Sequence, residues 1–110
     1  VLLSCGWDKK WRDPDFVSHS PYISKEAAQF LLEHKIKLLG ADFPRFDNVN
    51  AMEFPWDLLW DKAKFVLAPL TNLYDLDVTR ATLMAFPLKI DGAVATPCRA
   101  ALILGDHIRE

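Results

Sequence analysis

Three short apolar runs, each ending in a polar or proline break, constrain this chain more than any other feature. They are VLLSC (1–5), IKLL (36–39) and KFVLA (64–68). Runs of four or five residues are too short for buried helices and suit buried strands. Helical stretches separate them. Ser24 opens the first, where its hydroxyl can cap free amides and Glu26 sits in the first turn. Ala27, Ala28, Leu31 and Leu32 then form an apolar stripe at helical spacing, which Phe30 widens. His34 and Lys35 suit the negative end of that helix. Pro55 introduces the second helical stretch, WDLLWDKA (56–63), as proline does at a helix start.

Two further apolar runs, TLMAFPLKI (82–90) and RAALIL (99–104), read as strands. Pro87 marks an edge or a bulge in the first, and Asp91-Gly92 a turn between them. Strands alternating with helices place the chain in the α/β class. The expected core is Leu31, Leu32, Ile36, Leu38, Leu39, Phe65, Val66, Leu83, Phe86, Leu88, Leu102 and Leu104. A length of 110 residues suits one domain, 1–110.

The balance of charge excludes several classes of function. The formal net charge is -2, so no basic field exists to hold nucleic acid. Lys9, Lys10 and Arg12 form one small cluster, read as a solvated loop. No apolar run approaches the roughly 20 residues of a membrane span, and no signal peptide is visible. Cys5 and Cys98 belong to no C-x-x-C pair and are expected as buried thiols in a cytoplasmic protein.

Candidate chemistry is sparse. His19, His34 and His107 have no His or Cys partner at ligand spacing, and are expected to face solvent. Asp8, Asp13 and Asp15 share a loop with Trp7 and Trp11, but lack the glycine and terminal glutamate of a calcium loop; a solvated loop is the expectation. Asp42 is the candidate catalytic residue. It lies just past a strand's carboxyl end, where α/β folds place functional side chains, although an aspartate there also caps turns. Ser4-Cys5-Gly6 and Thr96-Pro97-Cys98-Arg99 have no nucleophile elbow and no histidine base.

Five segments in order resemble the metal-dependent cyclase family of kynurenine formamidases and isatin hydrolases. VLLSCGWDKKW is similar to its strand and T-G-W turn. SHSPYISKEAAQFLLEHKIKLLGADFPRFD is similar to h-P-x-L-S-x-E-A-A-x-x-L followed by G-x-D-x-x-S-x-D. LTNLYDL resembles N-L-T-N-L-D-x-L, and FPLKIDGAVATPCRAALIL resembles L-P-L-K-I-x-G-x-x-G-S-P-x-R-A-x-A. The resemblance covers nearly the whole chain and is to the family's carboxyl-terminal half. It implies an α/β fold with a mixed, partly barrel-like sheet of the swivelling β/β/α kind and packed helices, incomplete relative to the family.

The same resemblance implies hydrolysis of arylformamides or cyclic amides assisted by zinc or manganese. The family's H-x-G-T-H-x-D-x-P segment is absent from this sequence. In the formamidase branch a later histidine and glutamate complete the metal site, and their positions fall on Trp56 and Ala68. No metal or other cofactor is therefore expected in this chain, and no activity from the chain by itself. Trp7, Phe43 and Trp56 are the candidate walls of an aromatic substrate pocket. The expected partners are further copies of the chain or an amino-terminal half, with a small aromatic ligand, and neither nucleic acid nor membrane. The alternative is a non-catalytic, ligand-binding or dimerising relative.

Overall fold

The computed structural model describes residues 1–62 and 65–105. Ala63, Lys64 and His107, which figure in the expectations above, lie outside the described residues. The chain divides into two compact units, Val1–Asp75 and a second that begins at Leu76.

The first unit is built on a three-stranded parallel sheet in the order β1-β2-β3. Its strands are β1 (Leu2–Leu3), β2 (Leu38–Ala41) and β3 (Phe65–Leu67). Leu2 lies opposite Gly40, and Leu39 opposite Val66. Parallel neighbours need long crossovers. Helix α1 (Lys25–Leu32) lies in the first and α2 (Trp56–Lys62) in the second. The two helices touch each other.

Helix α1 starts as its sequence dictates. Ser24 is extended, and its Oγ accepts from the Ala27 amide at 3.2 Å. Ala28 and Leu32, four residues apart, are the buried positions of its stripe. His34 closes the other end, where Nδ1 donates to the Phe30 carbonyl at 2.6 Å. Helix α2 begins directly after Pro55, whose carbonyl accepts from Leu59 at 3.0 Å. Leu59 is its one fully buried side chain.

Strand β2 is the centre of this unit. Leu39, Ala41 and, beyond its end, Phe43 join the core with Ile23, Ala28, Leu32, Phe46, Phe54 and Leu59. Gly40 and Asp42, of the opposite parity, are buried as well. A strand covered on both faces is the rule for parallel sheets.

The second unit is an antiparallel hairpin of β4 (Thr82–Pro87) and β5 (Cys98–Ile103). Leu83 pairs with Leu102, Ala85 with Ala100 and Pro87 with Cys98. Side chains at Leu83, Ala85, Cys98, Ala100 and Leu102 are half-buried, while Met84, Phe86, Arg99 and Ala101 are exposed. Pro87 sits at the last rung of the ladder, where a missing amide costs little.

Two expectations are corrected. The strands do not form one mixed, partly barrel-like sheet. They form a parallel sheet and a separate antiparallel pair, with no closed barrel among the described residues. Five strands of two to six residues fall short of the roughly eight that close around a packed interior. Of the expected core, Phe65, Phe86, Leu88 and Leu104 are exposed. A two-stranded ribbon shelters one face only, and Phe65 opens the outer strand β3. Loop aromatics, Phe43, Phe46 and Phe54, take their place in the core.

Gly40 is the tightest point of the sheet. A Cβ there would lie 2.5 Å from Leu2 Cδ2 and 3.1 Å from the Leu67 carbonyl oxygen. Gly40→Ala is therefore expected to destabilise the chain by about 1–3 kcal/mol through overpacking. Urea unfolding checks this; an unchanged midpoint would mean that β1 is not seated against β2 as described.

Candidate functional site

Beyond β2 the chain runs through Asp42-Phe43-Pro44-Arg45-Phe46-Asp47 and then loops to α2. Asp47 organises that loop. Its Oδ1 accepts from the amides of Asn48 at 3.0 Å, Glu53 at 2.8 Å and Phe54 at 3.1 Å. Its Oδ2 accepts from the Trp56 indole Nε1 at 3.3 Å. Burial pushes this carboxyl up, but the donors from Phe54, Glu53, Trp56 and Asn48 outweigh it and hold the group below the usual carboxylate range.

The indole so fixed belongs to an aromatic stack. Trp56 lies parallel to Phe46, 5° between planes and 6.1 Å between centroids. Phe54 tilts against it at 4.6 Å and Trp60 stacks at 6.0 Å. Offset and tilted pairs at such distances are the favourable arrangements of aromatic rings. Beside the stack is a cavity of about 290 Å³, lined by Pro44, Arg45, Phe46, Asp47, Met52, Trp56, Val66 and Ala68. Trp56 and Ala68, twelve positions apart, thus share one wall.

The zinc or manganese of the family does not fit these residues. Such ions need three or four nitrogen, oxygen or sulfur donors converging at about 2.0–2.3 Å. The cavity offers one carboxylate, Asp47, and both of its oxygens are taken by N–H groups. Among the described residues no three His, Cys, Asp or Glu side chains come together in a way that could hold a metal.

Asp42 stands at the end of β2 as the sequence suggests, fully buried. It accepts from Ser4 Oγ at 2.8 Å, from the amides of Cys5 at 3.0 Å and Gly6 at 2.9 Å, and from the Cys5 thiol at 3.4 Å. Burial pushes its carboxyl up, but these donors more than offset that and lower it. The result is a clasp between β2 and the segment after β1. The Cys5 thiol is pushed up, by burial first and then by the Asp42 carboxylate beside it. Cys5 is exposed rather than buried, and Cys98 is half-buried; both are free thiols.

The aromatic candidates are set apart. Trp56 lines the cavity just described. Phe43 lines a second, wider groove of about 530 Å³ with Leu3, Cys5, Pro21, Tyr22, Ile23, Ser24 and Ala27. Trp7 stacks on Phe16, centroids 6.5 Å apart, and its Nε1 donates to the Phe16 carbonyl at 2.9 Å.

The loop aspartates have local partners. Asp8 Oδ2 accepts from Thr71 Oγ1 at 2.8 Å and from the Asn72 amide at 3.1 Å, so it pins the LTNL segment. Asp13 accepts from the Asp15 amide at 2.9 Å, and Asp15 faces His19 at 3.5 Å. Sequence reasoning missed Asp47 and Arg45. The signal was present for Asp47, the last position of GADFPRFD against G-x-D-x-x-S-x-D. Arg45 departs from that pattern at its serine.

The lowered carboxyl of Asp42 has a testable sign. Its contribution is present above the unfolded-state value of about 3.9 and is lost as pH falls through the lower folded-state value. Asp42→Asn should cost about 1–3 kcal/mol at neutral pH, since two amides and a hydroxyl lose a charged acceptor. The gap from wild type should shrink as pH falls below about 4. Urea melts across pH 2.5 to 7 check this; a gap independent of pH would remove the ionised carboxylate from the account.

Comparison with known proteins gives two matches in sequence. Residues 1–48, which include Asp42, Arg45 and Asp47, match the family model described as "Putative cyclase". Isatin hydrolase of Roseibium aggregatum is 32% identical over 116 aligned positions, covering 94% of this chain and 44% of that protein. The chain thus spans less than half the length of this curated relative. No solved structure matches it. Among the described residues no helix is long and apolar enough to cross a membrane. The family model over residues 1–48 and the similarity along nearly all of the sequence support placing this chain with the cyclase family, as a sequence similar to isatin hydrolase.

Proposed function

We propose that this chain supplies the aromatic wall of the substrate pocket in a cyclase-family amide hydrolase, and that the chain alone binds without hydrolysing. The relative's name says that it acts on isatin, a small aromatic cyclic amide. Here the cavity beside Trp56 is of ligand size, at the lower end of the range for small-molecule sites. The reading rests on one observation: Trp56 and Ala68 line the same cavity, with a carboxylate already bound by four N–H groups. Hydrolysis in this family needs an ion that activates water and polarises the carbonyl. In this proposal that ion is held by residues outside this sequence, and the residues here orient the ring and exclude water from one side.

The purified chain, supplied with zinc or manganese and then freed of excess, is expected to retain no stoichiometric ion by elemental analysis. It is expected to turn over neither isatin nor N-formylkynurenine above the buffer rate. One ion per chain with metal-dependent hydrolysis would overturn the proposal.

A second reading, association with a further copy, draws on the hairpin. Met84, Phe86, Leu88 and Ile90 are all exposed, and an isolated two-stranded ribbon is marginal in water. In this reading light scattering after size exclusion gives a dimer mass, and Phe86→Lys returns it to the monomer. A wild-type monomer at micromolar concentration would dismiss it.

A further inference from the structure

The Trp56 cavity holds one unanswered charge. Arg45 lines it, and among the described residues no carboxylate lies within ion-pair distance of its guanidinium. The other charged group in the wall is Asp47. Its Oδ1 faces three amides and its Oδ2 the Trp56 indole, at 2.8 to 3.3 Å. Three of the four donors converge on Oδ1, on the loop side of the carboxylate. The remaining lining is a flat aromatic and thioether surface: Phe46 and Trp56 lie 5° from parallel, with Met52 beside them.

We infer that this cavity selects a planar aromatic carboxylate of one or two rings, with Arg45 as the specificity-determining residue. This rests on the proposed function of the same pocket and adds the charge of the ligand. A ring can lie against Trp56, the half-buried aromatic of the lining, since Phe46 is buried in the core. Its carboxylate can meet a guanidinium, whose planar fork matches two carboxylate oxygens at once. A neutral amide of the same shape keeps the ring contact and loses the charge. The volume of about 290 Å³ suits a ligand of one or two rings.

The test is titration calorimetry with three probes of equal shape: 2-naphthoate, 2-naphthamide and 2-naphthylmethylammonium. The carboxylate is expected to bind about ten-fold or more tighter than the amide, the size of a charged hydrogen-bond contribution, and the ammonium weakest. Arg45→Gln should bring carboxylate and amide to within about two-fold of each other, while Arg45→Lys keeps part of the preference. Wild-type protein that binds carboxylate and amide equally would overturn the selection but leave an aromatic pocket. Wild-type protein that binds none of the three would overturn the pocket reading as well. A preference that survives Arg45→Gln would remove Arg45 from its role.

Discussion

Burial of both faces of β2 is the constraint on which the first unit depends. A strand covered on both faces can leave its carboxyl-end loop no free polar groups, because each unpaired buried amide costs a substantial fraction of the chain's stability. Two aspartates answer that demand, five residues apart. Asp42 collects the donors of Ser4, Cys5 and Gly6 and ties the strand to the segment before it. Asp47 collects those of Asn48, Glu53 and Phe54 and ties it to the segment after. The position of Trp56 follows from the second clasp, and the cavity from the position of Trp56.

The elements of this unit were largely legible in the sequence because each had a local cause. Ser24 announces α1 by its hydroxyl, Pro55 announces α2 by its missing amide, and the run at 36–39 is apolar without a break. The strand it forms is displaced to Leu38–Ala41, since pairing of Gly40 with Leu2 and Leu67 and of Ala41 with Leu3 extends it past Leu39. The sheet arrangement was less legible. Whether β4 joins β3 depends on contacts between residues far apart in sequence, and no local pattern encodes it. Phe65 and Phe86 were read as core because aromatic strand residues usually have a second sheet to pack on. Here each lies on the uncovered side of a short sheet.

The candidate site was half legible. Trp56 and Ala68 were set against a family pattern, and in the fold both line one cavity. Asp42 was correctly put at the end of a strand, but its chemistry depends on which groups face it. Three hydrogen bonds from a segment almost forty residues earlier make it a structural clasp, a role that its neighbours in sequence do not indicate. Asp47 and Arg45 were passed over for a related reason. An aspartate and an arginine two residues apart carry no local sign of different partners. Only the fold separates them, by giving the aspartate four donors and leaving the arginine none of the acceptors.

That separation explains why placing metal-binding side chains at positions 56 and 68 would not by itself create a metal centre. A third ligand from the cavity wall would have to be Asp47, and its oxygens already accept from three loop amides and an indole. Turning the carboxylate toward an ion would release those amides, and replacing Trp56 would remove both the indole donor and the ring on which Phe46 and Phe54 pack. Metal binding and the order of this loop therefore compete for the same two oxygens. In the arrangement observed the loop has them, and the basic residue of the cavity lining is Arg45.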